Sequence, residues 1–385
     1  MTRPTAYITD LAVFLPNAPV GNDDIERVLG QVNGKSSRSR KLVLRSNGIR
    51  ARYYAIDPVT GRHTHTNAQM AASAVRALAA KSGFDLKDLD CLCVGTSSPD
   101  LVQPSHGHMV AGELAAPPCE VFTAAAVCTS SMSGLRYAAL NIEAGHHRNA
   151  ISLGSEFPSR YMRGRNFEKE TDSQVSELEN RPELAFEKDF LRWMLSDGAG
   201  AALLQPQPNT GRMSLRIDWI EIVSFAGDMP VCMYSGGNKR ADGSMQYWHE
   251  VEDSLDIVRQ GFYALKQDAR LLNENILPAW VDRALIPIAR KHGLKPDDVT
   301  WFLPHYSSEY FRDRLHARMA EVGFEIPQER WFSNLTRVGN IGSASIYFIL
   351  EELLYSGKLK TGDRLLCSIP ESARFSFSYM HLTVV

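Results

Sequence analysis

The feature that most constrains this chain is a repeated local pattern. A short apolar run ends in small residues and passes directly into a helix-forming stretch. Residues 90–97 (DCLCVGTS), 120–127 (EVFTAAAV) and 150–154 (AISLG) read as buried strands. Residues 67–82 (NAQMAASAVRALAAKS) and 130–144 read as helices, the second stopped by Gly145. Strands buried along their whole length and alternating with helices predict an α/β fold.

The same string of elements returns later. The pattern predicts a long helical stretch over 251–292 broken or kinked at Pro278, then a strand at 299–304 and helices at 307–322 and 343–355. Two closing strands follow, at 364–369 and 375–385. The division falls at 205–211 (QPQPNTG), giving an N-terminal half, 1–205, and a C-terminal half, 206–385. Residues 158–190 are charged and read as a core-poor cap excursion from the first half. At 385 residues and 44% hydrophobic, the chain has ample material for a large core.

Charge and cysteine content narrow the function classes. The formal net charge is −2, from 42 basic and 44 acidic residues, so no global field favours nucleic acid or an anionic membrane. No apolar run approaches a membrane span, and the N-terminus has no apolar signal region, which predicts a cytoplasmic protein. Six unpatterned cysteines fit a reducing compartment rather than a disulfide framework.

Three residues carry candidate chemistry. Cys128 lies where a strand meets a helix, so the helix dipole is expected to lower its pKa, although a free cysteine is also commonly a buried structural residue. His305 ends an apolar strand, and Asn340 precedes a helix; singly, each reads as a solvated or capping residue. Together they form a set in which the thiolate attacks a thioester while His305 and the Asn340 amide stabilise an oxyanion or enolate. Metal binding is not expected. His63/His65 and His106/His108 lack companion ligands, and Cys91 and Cys93 are read as facing opposite sides of their strand. The dinucleotide and P-loop glycine motifs are absent.

Taken in order, these segments resemble the β-ketoacyl-acyl-carrier-protein synthase III family of the thiolase superfamily. Arg45-Ser-Asn-Gly-Ile49 is similar to its early Arg-Thr-Gly-Ile segment and Ala126-Val-Cys128 to its nucleophile motif. Leu153-Gly-Ser-Glu156, Ser196-Asp-Gly-Ala-Gly200, Pro304-His305 and Gly339-Asn340 with Ser343-Ala-Ser345 follow at matching places. The resemblance implies a five-layered αβαβα thiolase-like fold with duplicated halves, and a homodimer. It implies acyl thioesters on coenzyme A or an acidic acyl carrier protein, with no metal or redox cofactor. It assigns Cys128 as nucleophile, His305 and Asn340 as its catalytic partners, and Arg45 to the phosphopantetheine carrier. Two basic clusters, Arg38/Arg40/Lys41/Arg45 and Arg160/Arg163/Arg165, are candidates for carrier docking.

The chain departs from that family at Thr123, where an Asp is usual, and at Pro370-Glu-Ser-Ala-Arg374, where glycines are usual. The ending is similar to that of ketosynthases that join two acyl chains and cyclise them to cyclohexanediones, precursors of dialkylresorcinols. On that resemblance Glu156 and Arg374 would serve proton transfer and carbonyl polarisation in ring closure. Glu371 with Arg374 reads alternatively as a surface ion pair. The competing readings are housekeeping fatty-acid initiation, a thiolase using Cys367, a type III polyketide synthase, an acyltransferase on the same fold, and a non-catalytic partner subunit.

Overall fold

The computed structural model describes residues 5–37, 40–167, 191–240 and 242–385. The principal strands are β1 (Tyr7–Phe14), β2 (Cys91–Thr96), β3 (Glu120–Ala125), β4 (Ala150–Glu156), β5 (Gly198–Gln205), β6 (Leu215–Ser224), β7 (Trp301–Pro304), β8 (Arg364–Glu371) and β9 (Ser376–Val384). They form one sheet in the order β3-β2-β4-β5-β1-β6-β9-β8-β7. The first five strands therefore run third-second-fourth-fifth-first. The second set repeats that order, with a short Phe302↔Trp331 bridge standing where the third strand belongs. The seam is the antiparallel β1–β6 pair, registered Tyr7↔Arg216 and Ile8↔Leu215.

The principal helices are α1 (Asn67–Ser82), α2 (His106–Leu114), α3 (Ser130–Ala144), α4 (Ala269–Leu277), α5 (Ile286–His292), α6 (Arg312–Glu321) and α7 (Ser345–Tyr355). Helices α1 and α2 cover the outer face of the first half, and α4 to α6 that of the second. Helices α3 and α7 lie between, each touching strands of both halves. This produces the five layers expected. Strands β2 and β4, parallel neighbours covered on both faces, are buried at every residue, which is why their sequence is continuously apolar or small. Helix α1 begins with a capping box between Thr66 and Gln69, and α3 ends at Gly145 with φ 76, as its sequence predicts.

Two expectations need correction. Residues 251–292 are not one kinked helix. They form a short helix (Ser254–Arg259), a two-residue strand, then α4, which runs into wide π-helical turns over Pro278–Leu285 and into α5. Pro278 has no N–H to close an ordinary helical turn, and the wider winding carries the axis past it. The excursion at 158–190 is core-bearing in its described part, because Met162 and Phe167 are buried among the residues of the largest core cluster; residues 168–190 lie outside the described residues.

Two glycines allow close packing at the centre, and the second of them joins the halves. A Cβ on Gly95 would stand 2.3 Å from the Ser131 backbone nitrogen, and one on Gly154 would stand 2.6 Å from the Ser343 carbonyl oxygen. Only hydrogen fits there, so the start of α3 rests on β2 and the turn before α7 rests on β4. Ser131 Oγ closes the contact by donating to the Ser343 carbonyl at 2.6 Å. Gly154→Ala is expected to cost about 1–3 kcal/mol, because its obstacle is backbone and not a movable side chain. A thermal melt reads this as a lower Tm, and an unchanged Tm would show that the Ser343 turn can yield.

Candidate active site

Cys128 sits in the link between β3 and α3, one residue before the helix cap Thr129. Glu371, at the end of β8, grips this link. Its Oε2 accepts the Val127 N–H at 3.0 Å, the Thr129 N–H at 2.9 Å and the Thr129 hydroxyl at 2.6 Å. The expectation of a lowered thiol pKa is reversed. Burial, then the charges of Glu371 and Glu156, push the Cys128 thiol well above its ordinary value. The positive end of α3 is present, but a carboxylate occupies it and opposes its field. Cys128 rests as a thiol.

His305 follows β7, and its backbone N–H donates to the Ser368 carbonyl of β8 at 2.8 Å. The side chain is buried, which lowers its pKa to about 4, so the imidazole is neutral at neutral pH and offers one N–H and one lone pair. Asn340 is fixed through both backbone groups: it donates to the Met194 carbonyl at 2.9 Å and accepts the Ser196 N–H at 2.8 Å. Its Oδ1 accepts the Gly342 N–H at 2.9 Å. That bond orients the amide and leaves Nδ2, the donor end, for another partner.

Cys128, His305 and Asn340 all line one cavity of about 440 Å³. Val127, Ser97, Tyr306 and Ser372 also line it, and Leu265, Leu272, Ile276, Trp280 and Phe311 make much of the lining apolar. The three residues named from sequence therefore converge, although they come from β3–α3, the end of β7 and the loop before α7.

The other candidates fall differently. Glu156 reaches the cavity, but its carboxylate is already engaged. It accepts from Ser97 N–H (3.0 Å), the Ser97 hydroxyl (2.6 Å), the Ser98 hydroxyl (2.7 Å) and the Ser343 hydroxyl (2.7 Å). Burial raises its pKa against the opposing pull of those donors. Its evident work is to join loops of the two halves. Arg374 is exposed, its Nε donates to the Met229 carbonyl at 3.2 Å, and it is not among the cavity-lining residues. A ring-closure role for that pair loses its geometry: the end of β8 and the turn after it set Pro370 and Ser372 at the cavity wall, Glu371 against the Cys128 turn and Arg374 out to solvent. Glu371 is consequently neither a surface ion pair nor a cavity-lining group.

Arg45 is exposed near the end of the short helix Arg40–Asn47. Of the two basic clusters, Arg38 lies outside the described residues and Arg40 is paired with Asp23 and Glu26. Arg160 and Arg163 hold local structure through Asp100 and the Gly61 carbonyl. Lys41, Arg45 and Arg165 remain solvent-facing.

Cys91 and Cys93 do not face opposite sides. Residues two apart on a strand share a face, and their sulfurs lie 3.5 Å apart. Cys91 also converges with Glu120 and His147, whose candidate ligand atoms all lie within 4.8 Å of one another. Glu120 there already bonds His147 Nε2 at 2.7 Å and the Tyr137 hydroxyl.

Sheet order, five layers and a cysteine-histidine-asparagine cavity define a condensing enzyme of the thiolase fold. The family described as 3-oxoacyl-[acyl-carrier-protein] synthase III, C terminal, matches residues 289–369. The β-ketoacyl-[acyl-carrier-protein] synthase III of Koribacter versatilis is 24% identical over 94% of this chain and 92% of its own. Among solved structures, AbyA1, a tetronic acid condensing enzyme, superposes with TM-score 0.75 at 19% identity, covering 98% of this chain and 100% of its own. OleA of Xanthomonas campestris, described with lauric acid and lauroyl-CoA bound, gives TM-score 0.73 at 19% identity over 99% of each chain. Residues 289–369 thus match the ketosynthase III family, the chain is similar to its members over nearly its whole length, and it is an acyltransferase of the condensing type. Among the described residues no helix is long and apolar enough to cross a membrane.

The buried histidine has a consequence for stability. Between 6.5 and about 4 the unfolded chain takes up a proton that folded His305 refuses, so its contribution is intact above 6.5 and lost as pH falls through that window. His106, also lowered to about 4 by burial, adds a similar component. His305→Asn is expected to flatten, without abolishing, the acid-side fall of the urea unfolding midpoint. A slope identical to the parent's would mean that the folded protein already carries His305 protonated.

Proposed function

We propose that this protein joins two acyl thioesters by Claisen condensation through an acyl-Cys128 intermediate, with an apolar acyl group as the first substrate. The observation that carries this reading is the convergence of Cys128, His305 and Asn340 on a largely apolar cavity. In the first step the Cys128 thiol gives up its proton, with neutral His305 as a resident acceptor, and sulfur attacks the thioester carbonyl. The carrier thiol leaves. In the second step the other thioester loses CO2 from a malonyl α-carbon, or an α-proton to His305, to give an enolate; its α-carbon attacks the acyl carbon, the C–S bond to Cys128 breaks, and the released thiolate takes up a proton. Asn340 Nδ2 and a His305 N–H are the donors available to the developing oxyanion or enolate. The steps balance with the thioesters and these side chains alone, so we assign no metal or redox cofactor.

A cavity of this size and lining suits a longer acyl chain better than a short starter unit, which favours specialised fatty-acid-derived or polyketide metabolism over housekeeping initiation. OleA, whose description includes lauric acid and lauroyl-CoA, is a fold neighbour in keeping with that choice. Cyclisation of the product to a cyclohexanedione would have to use groups other than Glu156 and Arg374. We assign Lys41, Arg45 and Arg165 as the basic groups free to meet coenzyme A or an acidic carrier protein. A homodimer is proposed through β3, which ends the sheet with one neighbour only and whose residues are half-buried or exposed.

Intact-protein mass spectrometry after incubation with long-chain acyl-CoA is expected to show one acyl adduct, absent in Cys128→Ala. Asn340→Ala should still acylate and His305→Ala should acylate more slowly, and both should lose C–C bond formation by about 10²–10³-fold. An ester or amide product with no new C–C bond would replace this reading with acyl transfer to oxygen or nitrogen.

A further inference from the structure

We propose that Glu371 is a positioning residue for the nucleophile: it holds the Cys128 turn by gripping the peptide N–H groups on both sides of the cysteine, and its charge opposes the positive end of α3. This rests on Cys128 being the reacting thiol. The grip comes from the opposite half of the chain, across 242 residues of sequence, so it fixes the two halves against each other at the point where chemistry occurs.

The geometry is specific. One carboxylate oxygen takes both flanking N–H groups and the Thr129 hydroxyl. The Cys128 N–H between them lies outside the clamp and is directed at its own sulfur, where it favours the thiolate. A turn with glycines at this place would grip nothing, and the helix end would then act on the thiol unopposed. Glu371 thereby exchanges intrinsic thiolate character for a fixed sulfur position and an uncharged resting state. The titratable groups around the thiol are Glu371 from β8, Glu156 from β4 and His305 from β7. Glu371 and Glu156 both hold the thiol up, and neutral His305 supplies no charge.

Charge and grip can be separated by substitution. Glu371→Gln keeps shape and removes charge; Glu371→Asp keeps charge and shortens the reach. The readout is the pH profile of iodoacetamide alkylation at the Cys128 peptide, which needs no substrate, beside the acylation rate with acyl-CoA. Glu371→Gln is expected to move the alkylation midpoint down. One pKa unit gives tenfold more thiolate, and the lower basicity offsets part of that, leaving alkylation below the midpoint roughly threefold faster. Glu371→Asp should keep the parent midpoint while its acylation falls about tenfold as the turn loosens. A Glu371→Gln profile superimposable on the parent, or an Asp variant acylated at the parent rate, would overturn the proposal. If the parent is alkylated but never acylated by any thioester, the functional reading fails, while the alkylation profiles still decide the role of Glu371.

Discussion

The arrangement depends on one junction, the buried carboxylate of Glu156 among the serines of two loops. Ser97 and Ser98 come from the loop after β2, and Ser343 comes from the turn before α7 in the other half. A buried carboxylate is costly unless nearly all of its acceptor capacity is used, and here both oxygens are. Gly95 and Gly154 allow the close backbone approach that makes those bonds reachable. With the junction formed, the start of α3 and the loop carrying Asn340 are brought to one place.

The same region shows why a buried site can hold reactive groups in quiet forms. Desolvation disfavours charge, so it raises the Cys128 thiol and lowers the His305 imidazole, leaving both neutral. A neutral pair suits a site that must first admit an apolar acyl chain. On the proposed function, the proton moves when a thioester carbonyl is present to take the sulfur. The helix dipole, which local sequence pointed to as the activating influence, is a partial charge that a full carboxylate at the same end readily opposes.

Much of the fold was legible because its signals are local. The run 130–144 closed by Gly145 appears as the helix Ser130–Ala144, and the continuous apolar runs at β2 and β4 are strands covered on both faces. The residues Cys128, His305 and Asn340 were legible as a set because each stands at an element end, where an α/β fold presents side chains. Illegible were the directions taken by side chains at the end of β8 and in the turn after it. Pro370, Glu371, Ser372 and Arg374 are close in sequence, yet they face the cavity, the Cys128 turn, the cavity again and solvent. The Cys91–Cys93 contact, by contrast, follows from strand periodicity and could have been read directly.

By itself, the amino-acid order determined most elements of the first half, several of their ends and a set of three candidate residues at element ends, because propensity, capping and element-end position act over a few residues. Only tertiary structure decided that Glu156 is a structural tie, that Arg374 is turned away and that Glu371 holds the turn around Cys128. Those outcomes depend on partners 59 to 244 residues away, and a hydrogen bond is set by distance in space, which local sequence does not encode.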